Sequence, residues 1–270
     1  MMSPFFESLV RNSLTVLADE PDDSTAMVWS EAEANAAIES CEKAIYKLNL
    51  IDKEVLIEEV EDLLTYDGIR KVKELWLDKN EFGNEGVETL ANSPQLEKLM
   101  VLSLANNKLT NYAAQSIAVS PYLENLQKLF LQGNRIGLEG LKALAESTSL
   151  SNLRMLYLNL NPVGPAGARI LAGKSTLQNL RELYLQKTGL GLEGLKALCE
   201  SENFQNLTLL SIAGNGLQDS AVDLLCGSQA FPCLVTLDLY QNRISDRAVD
   251  QLKASPNLKN VRAFQVDWRG

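Results

Sequence analysis

The sequence predicts an α/β solenoid shaped like a horseshoe, with parallel strands on the concave face and helices on the convex face. Three observations predict this fold: a 27-residue period without insertions, an apolar strand-like phrase that ends in a polar residue, and a helical stretch after it. One strand–turn–helix unit of this length cannot bury its own apolar face. Successive units must therefore stack on one another.

The strand of each unit is predicted from a short run of alternating apolar residues. In the first regular copy, Leu75 and Leu77 alternate and share one face, while Val72 fills the first apolar place. We interpret the asparagine that ends each run as a buried amide that satisfies backbone groups in the turns of adjacent repeats. Thr188 offers only a hydroxyl there, so we expect a local weak point. The repeating position is occupied by Asn80, Asn107, Asn134, Asn161, Thr188, Asn215 and Asn242.

The helix of each unit is predicted from columns of small and apolar residues after the asparagine. Apolar residues three positions apart, such as Val87 and Leu90, lie on one helix face. A small residue just before them, Gly86 in this copy, allows close packing between helices. The helices are expected to end at a serine column that consists of Ser93, Ser120, Ser147, Ser201, Ser228 and Ser255.

The two ends of the chain are less regular than its middle. We predict an N-terminal helical cap at residues 1–44, with an amphipathic helix at 5–17 and a second helix from Ser30, where a capping-box spacing occurs, to about Tyr46. Residues 45–270 are predicted to form the repeat domain, with about eight repeats and a truncated last strand. No polar capping repeat follows, so we expect an apolar end to be exposed.

The repeated phrases L-x-x-L-x-L-x-x-N and G-x-E-G-x-x-x-L, the second seen in NEGVETL and LEGLKAL, resemble a leucine-rich repeat of the ribonuclease-inhibitor-like subtype. The resemblance covers about 80% of the chain. It implies protein binding, because members of that family act as enzyme inhibitors, GTPase-activating proteins, actin-filament caps and immune sensors. The uniform period departs from the longer alternating repeats of the ribonuclease inhibitors. It is similar to that of bacterial proteins, including effectors delivered into host cells.

Composition excludes several kinds of catalysis. The chain contains no histidine, which removes Ser-His-Asp hydrolysis, Cys-His proteolysis and histidine-ligated zinc. Four cysteines are too few for a disulfide framework, and Cys199 and Cys226 share a small helix column, so we interpret them as core residues. Gly189, Gly191 and Gly194 spell G-x-G-x-x-G, but the last two recur with the period and are interpreted as structural. We expect no enzyme, no catalytic residue, no cofactor and no metal.

Charge is concentrated at one end of the chain. Residues 1–66 carry 15 acidic and 4 basic side chains, a net of −11, whereas residues 67–270 carry a net of +1. We interpret the acidic segment as a solvated face, with a docking surface for a basic partner as the alternative. The diffuse acidity argues against nucleic acid as a partner. No apolar run is long enough to span a membrane, and the N-terminus is a poor secretory signal.

We therefore expect a cytoplasmic protein, or one delivered into a host cytosol if it is a bacterial effector. Its partner is predicted to be another protein, bound through the concave face, with no nucleic acid, membrane or small-molecule substrate. In one inner column, aromatic residues recur in successive repeats, and strands about 4.8 Å apart should join them into an exposed stripe. Aromatic residues beside arginine are typical of interface hot spots. The predicted binding residues are Trp76, Lys128, Phe130, Arg154, Met155, Tyr157, Arg181, Glu182, Tyr184, Lys187, Asp238 and Tyr240.

The sequence thus favours a non-enzymatic interaction module, and its most specific form is one that inhibits or regulates a partner enzyme. Two alternatives stay open. An accessory protein for a GTPase would need an arginine at a repeat edge, such as Arg135 or Arg243. A self-assembling structural scaffold would use the poorly capped C-terminal end.

Overall fold

A computed structural model describes residues 2–17, 45–173 and 175–267 of the chain. Within these ranges, ten strands form one open sheet in which the spatial order of the strands equals their order in the sequence. The first pair is antiparallel, and every later pair is parallel. From the second strand onwards helices alternate with the strands and pack on their neighbours, so the predicted α/β solenoid is confirmed.

The strands are β1 (Leu14–Leu17), β2 (Ile45–Asn49), β3 (Val72–Trp76), β4 (Val101–Ser103), β5 (Lys128–Phe130), β6 (Met155–Tyr157), β7 (Glu182–Tyr184), β8 (Leu209–Ser211), β9 (Thr236–Asp238) and β10 (Ala263–Gln265). The helices of the described residues are α1 (Pro4–Ser13), α2 (Ile57–Leu64), α3 (Gly83–Ala91), α4 (Asn111–Val119), α5 (Leu138–Glu146), α6 (Gly164–Ala172), α7 (Gly191–Cys199), α8 (Ser220–Gly227) and α9 (Asp246–Ala254). Short 3-10 turns occupy Asp67–Lys71, Pro94–Leu96 and Pro256–Leu258.

The core lies between the sheet and the helices. In the middle repeats, Leu129 and Leu131 of one unit, and Leu156 of the next, are fully buried. The helix leucines Leu141 and Leu144, three residues apart, are buried against them. Because strand residues alternate between faces, the residues between the buried leucines lie on the concave side.

The repeating asparagine is a buried amide that joins adjacent repeats, as predicted. The Nδ2 atom of Asn134 donates to the carbonyl oxygens of Leu104 and Leu131, both at 2.9 Å. Its Oδ1 atom accepts from the backbone N–H groups of Asn107 and Leu109, both at 3.0 Å. One side chain thereby satisfies four backbone groups that the turn would otherwise leave unpaired.

Thr188 changes the turn of the repeat before it. Its hydroxyl donates to the carbonyl oxygen of Leu185 at 2.8 Å. In the repeat of Asn107, the equivalent N–H groups donate to the side-chain oxygen of an asparagine in the next repeat. Thr188 offers no such oxygen, so the N–H of Asn161 donates to the Leu158 carbonyl, and the N–H of Val163 donates to the Asn161 carbonyl. The weak point expected at Thr188 stays a prediction, but the rearranged turn gives it a physical basis.

The serine column forms a second ladder on the helix side. From Ser120 onwards, each hydroxyl of this column donates to a carbonyl oxygen at the end of the preceding helix, whereas that of Ser93 accepts from the N–H of Gln95. The pairs include Ser120 with Ala91, Ser147 with Ala118, Ser201 with Ala172, and Ser228 with Cys199. The asparagine and serine ladders hold successive units in register on both sides of the core.

The N-terminal segment differs from the prediction. The helix ends at Ser13 instead of continuing to residue 17, because the β-forming residues Leu14–Leu17 pair with β2 and cover the first edge of the sheet. The helix predicted from Ser30 falls almost entirely at 18–44, outside the described residues, and its predicted end at Tyr46 is wrong because Tyr46 lies in β2. The division at residue 44 remains a prediction.

The other end of the sheet is formed by β10, which pairs with β9 and with no other strand of the described residues. Its Phe264 side chain is partly buried against the core, as is that of Val266. The last described strand therefore presents a partly covered apolar edge.

Candidate protein-binding face

Four aromatic rings form a continuous stack on the concave face, which we call the ring ladder: Trp76, Phe130, Tyr157 and Tyr184. The centroids of Phe130 and Tyr157 are 4.4 Å apart, and those of Tyr157 and Tyr184 are 3.8 Å apart. The parallel register pairs these three residues directly on β5, β6 and β7. The 27-residue period therefore brings together side chains that are far apart in the sequence.

Trp76 joins the ladder across an intervening strand. Its ring lies 5.2 Å from that of Phe130, although β4 runs between them. The residue of β4 in this column is Ser103, which is small and fully buried, and its hydroxyl donates to Asp78. A small side chain at this position allows the two rings to meet. At this end of the ladder, the Nζ atom of Lys47 lies 4.2 Å from the Trp76 ring centroid and makes a cation–π contact with it.

The rings are less exposed than the sequence predicted. All four are half-buried, because each ring covers a neighbour. The expectation of an exposed stripe is therefore met only in part, since each ring keeps some exposed surface, whereas Phe130, Tyr157 and Tyr184 are contiguous as expected. Stacking also restricts the rotamers that the rings can adopt.

The two terminal rings of the ladder donate hydrogen bonds to glutamate side chains. The hydroxyl of Tyr184 donates to Oε2 of Glu182 at 2.8 Å, and Nε1 of Trp76 donates to Oε2 of Glu74 at 3.2 Å. Burial raises the pKa of Tyr184, and its hydrogen bonds to Tyr157 and Glu182 raise it further. Burial also raises the pKa of Tyr157, and this outweighs the opposing effect of its hydrogen bond with Tyr184. Both phenols are neutral near pH 7.

Cationic side chains lie beside the ladder, towards the start of the strands. Lys128 begins β5 and is half-buried, whereas Arg154 and Arg181 directly precede β6 and β7 and are exposed. The backbone N–H of Arg181 donates to the carbonyl of Arg154 at 2.8 Å, so the two residues occupy equivalent places in adjacent repeats. Neither arginine forms an ion pair with another residue in the described part of the chain.

The remaining predicted residues divide into two groups. Met155 is half-buried on β6 beside the ladder, and the stem of the exposed Lys187 lies over Gly214. Asp238 and Tyr240 lie farther along the sheet, separated from the ladder by β8. The Asp238 carboxylate accepts from the hydroxyl of Ser211 and from the N–H of Tyr240.

A second feature of this face was missed by the sequence reasoning. Gln132, Asn159 and Gln186 follow the rings of β5, β6 and β7 by two residues and lie on the same face, and we call them the amide column. The side-chain oxygen of each is buried and has no hydrogen-bond partner; among the described residues, only these three side-chain atoms are in that state. The signal was available in the period, because amides recur at one position in three successive repeats.

The glycines and the cysteine that were considered as cofactor-binding or catalytic candidates occupy positions that the fold explains. Gly189 and Gly191 adopt φ angles of +71° and +61°, which side-chain-bearing residues rarely adopt, so the turn itself accounts for them. Cys199 is buried in α7, and burial raises the pKa of its thiol to about 12. In the parts of the chain that the structure covers, no three histidine, cysteine or acidic residues are grouped to hold a metal ion. No described helix could cross a membrane.

The arginines of the GTPase alternative occupy ordinary turns. The backbone N–H of Arg135 donates to the carbonyl of Leu109, and that of Arg243 donates to the carbonyl of Leu217. Both residues directly follow the repeating asparagine in their units. Their equivalence indicates a role in the repeat and gives neither side chain a special position.

An open groove lies away from the concave face. It has a volume of about 890 Å³ and runs along α2, α3 and α4 on the helix side. Its apolar lining includes Leu56, Tyr112 and Val119, which are exposed, and acidic residues line it as well. The groove shares no residue with the ring ladder.

Comparisons with known proteins agree with this architecture. A family model described as a leucine-rich repeat matches residues 68–91, 122–145 and 176–199, at a spacing of 54 residues, which is two periods. The crystal structure of a protein from Bacteroides fragilis, 14% identical, has a TM-score of 0.50 over 87% of this chain and 81% of that chain. At this identity the likeness shows the fold alone. None of the curated proteins is significantly similar in sequence.

Proposed function

Because the chain is a leucine-rich repeat protein, we propose that it binds a partner protein through its concave face and catalyses no reaction of its own. Leucine-rich repeats generally form non-enzymatic modules for protein–protein interaction. The observation that carries the proposal for this chain is the ring ladder. Four half-buried rings in contact, with exposed arginines beside them, give one surface both apolar area and charge.

The composition of this surface favours protein recognition. Tryptophan, tyrosine and arginine are the residues that most often dominate the binding energy of interfaces. The ladder places Trp76, Tyr157 and Tyr184 within one stack, and Arg154 and Arg181 lie next to it. Anchors that are already ordered lose little entropy when they bind, which suits a stable complex.

The most specific form of the proposal is that binding inhibits or regulates a partner enzyme. A concave sheet can surround a convex surface and cover an active site on it. The exposed cations Arg154 and Arg181 would then pair with carboxylates of the partner. This form predicts that the activity of the partner falls as it becomes saturated.

The proposal is tested with the triple variant Phe130→Ala, Tyr157→Ala and Tyr184→Ala. The wild-type protein and the variant are immobilised and exposed to lysate, and retained proteins are compared quantitatively by mass spectrometry. A partner of the concave face is retained by the wild type and lost by the variant. Each truncated anchor is expected to cost about 2 kcal/mol, so the affinity should fall by orders of magnitude.

A matched control removes apolar area from the opposite side of the molecule. Tyr112 and Val119 are exposed on and near the groove of the helix side, and Leu138 begins α5. The triple variant Tyr112→Ala, Val119→Ala and Leu138→Ala should retain the partner. Circular dichroism checks that both variants are folded. Equal retention by the wild type and the ring variant would refute binding through the ladder.

A further inference from the structure

The groove along α2, α3 and α4, which we call the helix-side groove, carries exposed apolar residues at positions that are mostly polar in other repeats. Tyr112 and Val119 are seven residues apart on α4, or about two turns, so they lie on one face of the helix. Their exposed fractions are 73% and 76%. The residues equivalent to Tyr112 include Glu85, Glu139 and Glu193, and those equivalent to Val119 include Asn92, Glu146 and Glu200. Because other repeats stack without apolar residues here, the fold does not explain this pair.

The charge around the helix-side groove is negative and is not balanced by nearby bases. Glu58 of α2, with Glu85 and Glu88 of α3, lines the groove. All three are exposed, and none forms an ion pair with another described residue. A fourth lining carboxylate, that of Glu81, is paired with the ammonium group of Lys108 at 2.6 Å. The helices α2, α3 and α4 contain no lysine or arginine, whereas α5, α6 and α7 each contain one.

We infer that the helix-side groove binds a basic amphipathic helix of a partner protein, at a site separate from the concave face. Apolar anchors and accessible carboxylates in one groove are complementary to a helix with one apolar face and lysine or arginine beside it. The groove walls are helices, which use most of their backbone groups in their own hydrogen bonds. An extended peptide would find few main-chain partners there, whereas a helix satisfies its own backbone and binds through side chains alone.

Charge also distinguishes this ligand from other chains that could cover the groove. Residues 18–44 of the protein itself contain eight acidic residues and one lysine, so the carboxylates of the groove would repel that segment. A second copy of the chain carries a net charge of −10. Two copies facing each other through this groove would bring like charges together. A basic partner gains from the same field.

The inference is tested with two synthetic amphipathic peptides of about four helical turns. The basic peptide carries leucine at every third or fourth position and lysine elsewhere, and the acidic peptide carries glutamate in place of lysine. Fluorescence anisotropy measures the binding of each labelled peptide to the whole protein. The basic peptide should bind and the acidic one should not. No binding of the basic peptide, or equal binding of both, would overturn the inference.

The groove variant, Tyr112→Ala with Val119→Asn, locates the site of binding. It introduces residues that stand at the equivalent positions of other repeats, so the fold should be preserved, which circular dichroism checks. The basic peptide should bind it at least about tenfold more weakly than the wild type, because buried anchors dominate binding energy. The matched control, Leu138→Asn with Leu192→Asn, removes exposed leucines of later helices outside the groove and should bind like the wild type. Equal weakening in both variants contradicts a site in the groove.

A second pair of variants tests the carboxylates at constant net charge. The triple variant Glu58→Gln, Glu85→Gln and Glu88→Gln should weaken binding of the basic peptide about tenfold and reduce its dependence on salt. The control removes the same charge from exposed glutamates of later repeats: Glu139→Gln, Glu146→Gln and Glu200→Gln. The control should change the affinity little. The same loss in both would show attraction to the net charge of the protein alone and would overturn the inference.

The ring variant Phe130→Ala, Tyr157→Ala and Tyr184→Ala separates this site from the concave face. It should bind the basic peptide as tightly as the wild type, whatever the concave face binds. A loss of binding in the ring variant would assign the peptide to the concave face and refute the groove. Light scattering tests a second copy as the occupant. A wild-type dimer that becomes monomeric in the groove variant would make the groove a self-association surface, and would likewise overturn the inference.

Discussion

The rings of Tyr157 and Tyr184 stack nearly parallel, with centroids 3.8 Å apart and an interplanar angle of 12°. Each ring removes water from one face of the other. Both hydroxyls remain protonated near neutral pH, because burial raises the pKa of both phenols. The pair therefore presents apolar area and neutral hydrogen-bonding groups on the same surface.

This pair should make the stability of the protein sensitive to alkaline pH. The pKa of each phenol is higher in the folded state than the value of about 10 in an unfolded chain. Above about pH 10 the unfolded state loses these protons first, so the contribution is complete below that pH and declines as the pH rises. Urea unfolding of the wild type and of the double variant Tyr157→Phe and Tyr184→Phe, between pH 7 and pH 11.5, measures the difference.

The double variant should lose less stability above about pH 10 than the wild type does. At pH 7 it lacks the hydrogen bond between Tyr184 and Glu182, so only the change with pH, and not the starting value, is compared. The same alkaline decline in both proteins would contradict the assignment to these phenols.

Asn134 should be among the most sensitive positions for stability. Asn134→Ala removes four hydrogen bonds and leaves buried backbone donors and acceptors unpaired in two adjacent turns. At about 1 kcal/mol or more for each orphaned group, the free energy of unfolding should fall by about 3 kcal/mol or more. Urea denaturation followed by circular dichroism measures it. As a control, Asn125→Ala removes one exposed bond to the Glu97 carbonyl and should cost less than about 1 kcal/mol.

Thr188→Asn should stabilise the protein. An asparagine here can accept from the N–H groups of Asn161 and Val163, which now bond to carbonyls within their own turn. The gain should be about 1 kcal/mol, the net value of a typical hydrogen bond, and it appears as a higher urea midpoint. Thr188→Ser keeps the hydroxyl and should give no such gain. A lower urea midpoint for Thr188→Asn would contradict this prediction, because it would show that the present turn is more stable than the one an asparagine forms.

The fold could be predicted from the sequence because the period itself encodes the stacking. The alternation around Leu75 and Leu77 fixes the buried face, and the period fixes the register that brings Phe130 beside Tyr157. The strand Leu14–Leu17 could not be predicted in this way, because it occurs once and forms by pairing with the edge of β2. Its apolar residues suit a helix or a strand equally, and the tertiary contact decides.

The candidate site was predicted only in part, for a related reason. The period shows which residues occupy equivalent positions in the repeats, but not which rotamer each side chain adopts. The sequence does not reveal that Trp76 reaches Phe130 across Ser103, because this depends on the small volume of a buried serine on the strand between them. Nor does it reveal the unpaired oxygen of Gln186, since whether an amide finds a partner depends on the surrounding geometry.

Cys199 should be protected from alkylation in the folded protein. Only the thiolate reacts, and a pKa of about 12 leaves roughly one thiol in ten thousand ionised at pH 8. Burial also blocks access of the reagent, whereas Cys233 is exposed. Iodoacetamide treatment at pH 8, followed by peptide mapping, should therefore label Cys233 and leave Cys199 unlabelled until urea is added. Labelling of Cys199 as fast as Cys233 in the folded protein would show that α7 opens readily, which tight stacking between repeats does not allow.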